Sequence, residues 1–489
     1  MCEIPKKQSL RHTISDPTMK YLTLLTILAV VQGASLYDRR FSENGISKIG
    51  RQESLFPYLA GSAPYFKYPH DYGIDLPVPE HCQLKQVQLL ARHGERFPSK
   101  GKGKQLNNTY QKLERYRGKF NGSLSFLNDE EYQWFLDDSS QLELEVTFEN
   151  TLNPLNPYTG EQDARTHARN FLSLYGQLLN KNSNIELFTT NSKRVHDTAM
   201  FFAQELDNVV NSTHLNVISE DPSSGANNLS PGYSCLPWDE DENAAYLSTY
   251  SEAYLEDIAE RLNRENADIG LKLNKSDASL LFVWCGFELN AKGYSDVCNI
   301  FTNEELIHYS YQDDLTSYYE DGAGHSLIKP IGSLLFNASV ELLKQSDEQE
   351  QKVWLSFTHD TDILNYLTTV GLFDDGKKLN TSYIPFLQHT FHKSWLTPMG
   401  ARLYTEKFQC SNETYVRYTL NDAVIPIESC STGPGFSCPE KEFYSYANER
   451  LQGLNFVKSC NITSSSNHTS LSFYWDYNTT RYNASLILE

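Results

Sequence analysis

The sequence predicts an α/β fold whose functional site lies beyond the carboxyl ends of its strands. Three short apolar segments, at residues 86–90, 185–189 and 352–357, have the character of buried strands, and each runs into a polar turn. The second and third turns lead into apolar residues at helical spacing, beginning at Thr198 and Ile363. A strand, a polar turn and a helix in succession are typical of α/β proteins.

The N-terminal region predicts a signal peptide. Residues 21–31 form an apolar run that is too short to span a bilayer, with Lys20 before it and the small residues 33–35 after it. Signal peptides begin close to the start of a chain, yet the polar residues 1–18 precede Met19. We therefore predict that Met19 is the true start and that residues 1–18 are an extended gene-model segment. A signal anchor that stays uncut is the alternative.

The rest of the chain has no internal repeat and no low-complexity linker, so no boundary between independent domains is predicted. Two long stretches rich in Tyr, Asn, Asp and Glu contain helical patterns, such as the one from Tyr254 to Arg264, and we expect them to be helical insertions that cover the sheet. The predicted organisation is a signal peptide at 19–34 and one unit at 35–489, with an α/β core at about 50–100, 160–215 and 330–489 and a helical cap at about 101–160 and 215–330.

The composition predicts a globular protein and limits its partners. Of the 489 residues 39% are apolar, and thirty Tyr and twenty-five Phe are enough for a large core. The net charge of −20 argues against nucleic acid and anionic membranes as partners, because both would be repelled. A small anionic substrate stays open, since a local cluster of arginines can override the field of a distant acidic surface.

The cysteines and the glycosylation sequons favour secretion. Removal of residues 1–34 leaves eight cysteines, an even number that can form four disulfides, and the chain has no Cys-x-x-Cys metal motif. Eight buried free thiols are the alternative. Twelve Asn-x-Ser/Thr sequons occur, at Asn107, Asn121, Asn211, Asn228, Asn274, Asn337, Asn380, Asn412, Asn461, Asn467, Asn478 and Asn483. We expect a secreted protein, extracellular, periplasmic or associated with the cell wall, that has no membrane anchor.

The segment 92–98 reads Arg-His-Gly-Glu-Arg-Phe-Pro and is the sharpest motif of the chain. Guanidinium groups bind phosphate oxygens bidentately and stay charged at any working pH. His93, held between Arg92 and Arg96, would lie against a phosphorus atom, and the two arginines would stabilise the negative charge of the transition state. A solvated basic turn is the alternative.

His359 and Asp360 end the third predicted strand and open a helix. An Asp that stays protonated at low pH can give a proton to a leaving alkoxide, and we predict this role for Asp360. A helix N-cap with an incidental His is the alternative. Arg194, after the second strand, brings a third guanidinium to a helix N-terminus, which is itself an anion site. Residues 196–197 repeat the His-Asp dipeptide, and we interpret them as structural.

These motifs resemble the histidine acid phosphatase family, which includes the fungal phytases. The segments that carry the resemblance are 92–98, Arg194 with Thr198-Ala199, and His359-Asp360. It extends from about Phe56 to the C-terminus, and residues 123–129 and 431–438 are similar to the secreted repressible acid phosphatases of yeasts in particular. Residues 1–18 depart from the family pattern, which affects only the start site.

The resemblance implies a secreted, broad-specificity acid phosphatase that hydrolyses small phosphomonoesters through a phosphohistidine intermediate. It implies a mixed central sheet flanked by helices, of the phosphoglycerate-mutase type, with a mostly helical cap inserted. The roles that it implies are nucleophile for His93, proton donor for Asp360, and phosphate binding for Arg92, Arg96, Arg194 and His359. Neither a metal nor a cofactor is implied, because three arginines replace the cation of other phosphatases. A homo-oligomer stays open.

The resemblance also implies a disulfide pattern. Its pairs are Cys82–Cys410, Cys235–Cys460, Cys285–Cys298 and Cys430–Cys438. Sequence spacing by itself favours only the two pairs that close short loops.

Two alternative functions have less support. Asp360-Thr361-Asp362-Ile363 resembles the Asp-x-Asp nucleophile of haloacid dehalogenases, but the Thr or Val that should follow and a Gly-rich phosphate loop are missing. Such an aspartyl nucleophile would need magnesium. A non-catalytic cell-wall glycoprotein on the same fold would have lost His93 or Asp360, and both are present.

The sequence leaves the substrate range open. Lys100, Lys102 and Lys104 follow the nucleophile motif and could meet the further phosphates of inositol hexakisphosphate, as in a dedicated phytase. We favour the interpretation that they form a flexible, solvated basic loop.

Overall fold

The computed structural model describes residues 52–385, 388–463 and 468–488. The predicted gene-model segment at 1–18 and the signal peptide at 19–34 lie outside the described residues. Both therefore stay predictions.

Eight strands form one mixed sheet. Their bounds are β1 Cys82–Arg92, β2 Asn184–Thr190, β3 Ser212–Ile218, β4 Val353–Thr358, β5 Arg402–Cys410, β6 Glu413–Leu420, β7 Ala423–Ile425 and β8 Cys438–Pro439. The order across the sheet is β3-β2-β4-β1-β5-β6-β7, with β8 paired to β6. The first four strands in this order are parallel, and the others are antiparallel. The three strands predicted from the sequence are β1, β2 and β4, whereas β3 and β5 to β8 were not predicted.

Thirteen α-helices surround the sheet in the described part of the chain. Their bounds are α1 Lys100–Glu114, α2 Gly160–Tyr175, α3 Lys193–Leu206, α4 Ala244–Leu247, α5 Ala253–Glu265, α6 Lys275–Lys292, α7 Asn303–Glu320, α8 Ile328–Lys344, α9 Asp360–Val370, α10 Lys393–Leu396, α11 Glu440–Leu451, α12 Phe456–Ser459 and α13 Phe473–Asp476. Short 3-10 helices join many of them. None of these described helices is both long enough and apolar enough to cross a membrane.

Helices cover both faces of the sheet, and the side-chain alternation of β1 explains why. Val87 and Leu89 point to one face, where they join an apolar cluster with Phe171 of α2 and Phe202 of α3. On the other face Gln88 is buried, and its amide donates to the carbonyl of Ser339 in α8. A strand that is buried on both faces in this way holds its carboxyl end rigidly.

The two stretches predicted as a helical cap consist of helices and loops over most of their length. Residues 100–183 contain no strand of the sheet, and neither do residues 219–352, all of which the structure describes. The aromatic rings of Tyr110 and Trp134 stack at 4.3 Å between centroids, and Trp284 of α6 meets Trp134 edge-on at 4.4 Å. The described residues belong to one compact unit together with the sheet.

The basic segment after the nucleophile motif is a helix, which corrects the interpretation of a flexible loop. Lys100, Lys102 and Lys104 all lie in the first turns of α1, where the Ser99 hydroxyl accepts a hydrogen bond from the amide of Lys102. This cap stabilises the helix start in spite of two glycines in the same turns. The ammonium of Lys100 lies 3.0 Å from a carboxylate oxygen of Glu143.

The eight cysteines of the described residues form four disulfides. The pairs are Cys82–Cys410, Cys235–Cys460, Cys285–Cys298 and Cys430–Cys438, which are the pairs implied by the family resemblance. The first of them joins β1 to β5 at directly opposite positions of the ladder.

Nine of the twelve sequon asparagines are exposed. They are Asn107, Asn121, Asn211, Asn274, Asn337, Asn412, Asn461, Asn478 and Asn483. Asn380 is half-buried, and Asn467 lies outside the described residues. Asn228 differs from the others: the residue is 0% exposed, and its amide donates to the Ser234 hydroxyl. A glycan on that nitrogen does not fit the folded chain.

Candidate active site

The carboxyl ends of β1, β4 and β2 bring the predicted site residues to one edge of the sheet. Arg92 ends β1, and His93 follows it, while His359 and Asp360 follow β4. The backbone amide of His93 donates to the carbonyl of Thr358 on β4 at 3.2 Å, and the rings of His93 and His359 lie 5.9 Å apart between centroids. Arg194, the second residue of α3, reaches the same place from the end of β2.

Arg92 is a buried cation with a fixed side chain. It is 3% exposed, and its guanidinium donates to the carbonyls of Thr397 at 2.7 Å and Gly61 at 3.0 Å. Its Nη2 also lies 3.3 Å from Oδ2 of Asp360. A buried guanidinium is tolerated when it is paired and hydrogen-bonded in this way, and it needs no reorganisation to meet an anion.

His93 presents one free ring nitrogen. It is 1% exposed, and its Nδ1 lies 2.8 Å from the carbonyl oxygen of Gly94. Because a carbonyl can only accept, Nδ1 carries the proton, and the lone pair is on Nε2. Burial, followed by the positive charges of Arg92 and Arg194, holds the pKa of His93 well below its usual range. The ring is therefore neutral and nucleophilic at acidic pH.

Gly94 lets the loop after β1 pack closely against the core. A side chain at this position would approach Glu145 and the backbone of Gly160 to 2.7 Å. The amide of Gly94 donates to the hydroxyl of Thr198, which donates in turn to Glu145. Sequence reasoning missed Glu145, which no motif marks.

Arg96 is near enough to His93 and Asp360 for its charge to act on both. Its guanidinium donates to the carbonyl of Phe97 at 2.9 Å and lies 5.5 Å from the centre of the Phe287 ring. Its charge contributes to the low pKa of both His93 and Asp360.

Arg194, His359 and Glu220 form a chain of contacts. Nη2 of Arg194 lies 3.4 Å from Nδ1 of His359, and Nε2 of His359 lies 2.5 Å from Oε1 of Glu220. The Arg194 guanidinium can only donate to Nδ1, and so Nε2 carries the proton that Glu220 accepts. Sequence reasoning missed Glu220. It follows β3 by two residues, and that strand had not been predicted.

Asp360 is the first residue of α9 and is 18% exposed on its side chain. Burial raises its pKa, but the charges of Arg92 and Lys393 outweigh burial and hold the pKa below its usual range. This corrects the expectation that the carboxyl stays protonated at low pH by itself. In the ligand-free protein it is a carboxylate in the acid range as well.

Asp362 is a structural residue. It is buried, and its Oδ2 accepts hydrogen bonds from the hydroxyls of Ser230 and Thr358 and from the amide of His359. Burial raises its pKa to about 6. The carboxylate is thus engaged in fixing the start of α9, which removes the second acid that a dehalogenase-type site would need.

The second His-Asp dipeptide lies outside the site. Asp197 pairs with Lys193 at 2.6 Å across one helical turn of α3, and Nδ1 of His196 lies 3.3 Å from the same carboxylate. These contacts fit the structural interpretation made from the sequence.

A cavity of about 840 Å³ opens beside the site. Glu220 lines it, and so does Tyr233, whose ring lies 6.3 Å from that of His359. The segment 484–487 forms another wall and is held by backbone hydrogen bonds between Ile487 and both Asn191 and Lys193.

One set of potential metal ligands exists among the described residues. Asp314, His389 and His392 have ligand atoms within 4.8 Å of one another. Oδ1 of Asp314 accepts a hydrogen bond from the backbone amide of Lys393 at 2.7 Å, and Oδ2 contacts both imidazoles. The carboxylate is thus already used to hold the start of α10.

Comparison with known proteins identifies the family of this chain. Residues 83–421 match the histidine phosphatase superfamily (branch 2). The chain is 56% identical to a repressible acid phosphatase of Saccharomyces cerevisiae over 442 residues, which are 90% of this chain and 94% of that protein. It is 43% identical to a phytase of Candida albicans, over 90% of this chain and 93% of the relative. The crystal structure of the phytase from D. castellii superimposes with a TM-score of 0.85 at 43% identity, covering 89% of this chain and 93% of that one. The chain belongs to branch 2 of the histidine phosphatase superfamily.

Proposed function

We propose that this protein is a secreted acid phosphatase that hydrolyses phosphomonoesters through a phosphohistidine on His93. The observation that carries the proposal is a neutral, buried imidazole with a free Nε2, surrounded by the three guanidinium groups of Arg92, Arg96 and Arg194. Such a site attracts a phosphate group and presents a nucleophile to its phosphorus atom.

In the proposed first step the three arginines bind the phosphoryl oxygens, and His359 holds the Arg194 guanidinium in place through its Nδ1. Nε2 of His93 attacks phosphorus, the bond from phosphorus to the ester oxygen breaks, and that oxygen takes a proton from Asp360. The hydrogen bond from Nδ1 to the Gly94 carbonyl keeps the ring oriented while it becomes positively charged. The alcohol then leaves.

In the proposed second step the Asp360 carboxylate takes a proton from a water molecule. The oxygen of that water attacks phosphorus, the N–P bond breaks, and its electron pair returns to Nε2 of His93. The products are inorganic phosphate, a neutral His93 and a protonated Asp360, which is ready for the next alcohol.

The low pKa of Asp360 suggests where the first proton comes from. A phosphomonoester has a second pKa near 6, so at acidic pH it arrives with a proton on a phosphoryl oxygen. Its negative charge also competes for Arg92, which lies 3.3 Å from Asp360 in the ligand-free protein. Binding therefore raises the proton affinity of Asp360, and the proton can be shared between substrate and carboxyl. This accounts for activity at acidic pH with a carboxyl that is ionised on its own.

A broad substrate range fits the site better than a dedicated phytase does. The phosphoryl group is held by buried side chains, whereas Lys102 and Lys104 are exposed on α1 and Lys100 is paired with Glu143. The similarity to two phytases keeps inositol hexakisphosphate as the second candidate substrate. A catalytically inactive glycoprotein is disfavoured because each proposed catalytic group has partners that position it.

Nine exposed sequons and the disulfides support a secreted, glycosylated protein. The acidic net charge of −20 argues against nucleic acid as a partner, whereas a local cluster of arginines still admits small phosphate esters.

The proposal is tested by trapping the intermediate. Reaction with phosphate-labelled substrate followed by acid-free denaturation at alkaline pH should place one label on a nitrogen of His93. His93→Ala should abolish both label and turnover. His196→Ala serves as the matched control, because His196 lies outside the site, and it should keep both. Label on Asp360, or on no residue, would sink the phosphohistidine mechanism.

A further inference from the structure

Lys393 is a buried cation that the proposed mechanism has not used. It is the first residue of α10, and its ammonium lies 3.6 Å from Oδ2 of Asp360. Nη2 of Arg92 lies 3.3 Å from the same oxygen. The proposed proton donor is therefore held by two cations at one of its two carboxylate oxygens.

The position of Lys393 is itself fixed by buried groups. Its backbone amide donates to Oδ1 of Asp314, while Oδ2 of Asp314 lies 3.2 Å from Nε2 of His389 and 3.1 Å from Nδ1 of His392. The ring of His392 stacks on Trp395 at 3.8 Å between centroids. These contacts tie the start of α10 to α7, so that the lysine side chain begins from a rigid point.

The charges around Lys393 and Asp360 come from several elements. Those that face the pair are Arg92 and Arg96 from β1 and the loop after it, Asp313, Glu320 and Asp321 from α7 and its end, and His359 from the end of β4. Burial lowers the pKa of Lys393, but Asp313 and Asp360 outweigh burial and raise it. The lysine is a full positive charge throughout the acid range.

We propose that Lys393 is a positioning residue for Asp360, which it holds together with Arg92, and that its charge sets the pH above which the bound substrate is no longer turned over. The inference rests on the proposed function, in which Asp360 shares a proton with the substrate. The bound phosphoryl group shares the charge of Arg92 and weakens its attraction for Asp360, and Lys393 then remains as the cation that keeps the carboxyl in place. The same charge favours loss of the shared proton, so it limits turnover at higher pH.

The test is the pH profile of kcat with glycerol phosphate, because kcat reports ionisations of the enzyme–substrate complex. The kcat of the natural protein should follow a bell-shaped pH profile with its maximum between about pH 3 and 6. Lys393→Met removes one cation from the carboxyl, and the upper limb should move to higher pH by about one unit, the scale of a single nearby charge. KM should change less than about threefold, since Lys393 acts through Asp360. The upper limb of kcat/KM should stay near pH 6, where the free substrate ionises.

Two variants separate charge from structure. Lys393→Arg keeps the cation and should leave the upper limb of kcat within a few tenths of a pH unit. Lys344→Met removes an exposed lysine that pairs with Glu341 at 2.8 Å, and it should change nothing. Thermal unfolding shows whether Lys393→Met folds. If it does not, Lys393→Arg tests the proposal, because a shift of its upper kcat limb by a full pH unit contradicts the proposal.

The inference is also overturned if folded Lys393→Met has the same upper kcat limb as the natural protein. An equal shift of that limb in Lys393→Met and Lys393→Arg overturns it as well. Failure of the underlying function looks different: Asp360→Asn would then keep full activity on glycerol phosphate, whatever Lys393 does.

Discussion

At the scale of single residues, hydrogen bonds fix the orientation of the site's side chains and leave one atom or charge of each available to a ligand. The Nδ1–H of His93 donates a hydrogen bond to the Gly94 carbonyl, which leaves Nε2 available as the proposed nucleophile. Arg92 donates to the carbonyls of Thr397 and Gly61, so its charge is oriented before substrate binds. Groups that are oriented in advance stabilise a transition state without the cost of reorganising, and this is the largest contribution in many enzymes.

The role of Asp360 predicts a dependence on the leaving group. Asp360→Asn should lower kcat for an alkyl ester such as glycerol phosphate by about 10² to 10⁴, the usual scale for lost general acid catalysis. The loss should be much smaller for p-nitrophenyl phosphate, whose leaving group scarcely needs a proton. Steady-state rates on the two substrates measure this directly.

Asp197→Asn is the matched control for that comparison. Asp197 pairs with Lys193 on α3 and has no contact with the proposed proton path, so both rates should stay near those of the natural protein. Equal losses on the two substrates in Asp360→Asn would assign Asp360 a role other than proton donor.

At the scale of elements, the parallel part of the sheet sets the distances within the site. Arg92 on β1 lies opposite Thr358 on β4, so His93 and His359, the residues that follow, emerge side by side. Strand β3 extends the sheet beyond β2, and the chain after it brings Glu220 under His359. The loop after each of these strands thus supplies residues of the proposed phosphate site.

The contact between Glu220 and His359 predicts that the loop after β3 contributes to phosphate binding. Glu220→Gln removes the charged acceptor of His359 Nε2–H, and a hydrogen bond to a charged group contributes about 1.5–3 kcal/mol. We expect kcat/KM to fall about 10- to 100-fold and inhibition by inorganic phosphate to weaken. Kinetics with phosphate as competitive inhibitor measures both.

The chain offers a matched pair for this experiment. Glu186 on β2 accepts from Nδ1 of His214 at 2.8 Å, and this pair is partly exposed. Glu186→Gln should therefore leave phosphate binding unchanged. If Glu220→Gln were as active as Glu186→Gln, the loop after β3 would have no part in binding.

At the scale of the whole molecule, the sequence predicts the residues of the candidate site better than it predicts the residues that hold them in position. Arg92, His93, Arg194, His359 and Asp360 each follow a predicted strand, so local patterns were enough to find them. Glu220 and Lys393 come to the site only through tertiary packing. Glu220, for example, is 139 residues from His359 in the chain. No local pattern marks a residue whose function depends on such a contact.

The failure to predict several strands from the sequence has a related cause. Strand β5 is buried over most of its length, yet it carries Thr405, Glu406 and Lys407 in succession. Glu406 is satisfied by Arg417 on β6 at 2.6 Å, and both side chains are fully buried. Buried ion pairs of this kind conceal the alternation of apolar and polar residues by which a strand is predicted.

The charges of the whole molecule predict its substrate range. The protein has a net charge of −20, and the arginines near His93 are proposed to bind a single phosphoryl group. Glu143 compensates Lys100, while Asp313 and Asp321 lie on the side of Lys393. Such surroundings give no additional binding to a substrate with several phosphates, so binding energy should come from one phosphoryl group.

We therefore expect kcat/KM values for phytate, glycerol phosphate and an aryl phosphate to lie within about tenfold at the pH optimum, which is about 1.4 kcal/mol in barrier. Diesters should be poor substrates, because a second ester group removes an oxygen that the arginines hold. The rates should be the same with a chelator, since guanidinium groups supply the positive charge. A hundredfold preference for phytate would show that the lysines of α1 form a specificity site. The Lys102→Met variant would then lose that preference, whereas for a broad acid phosphatase it should act on all three monoesters as the natural protein does.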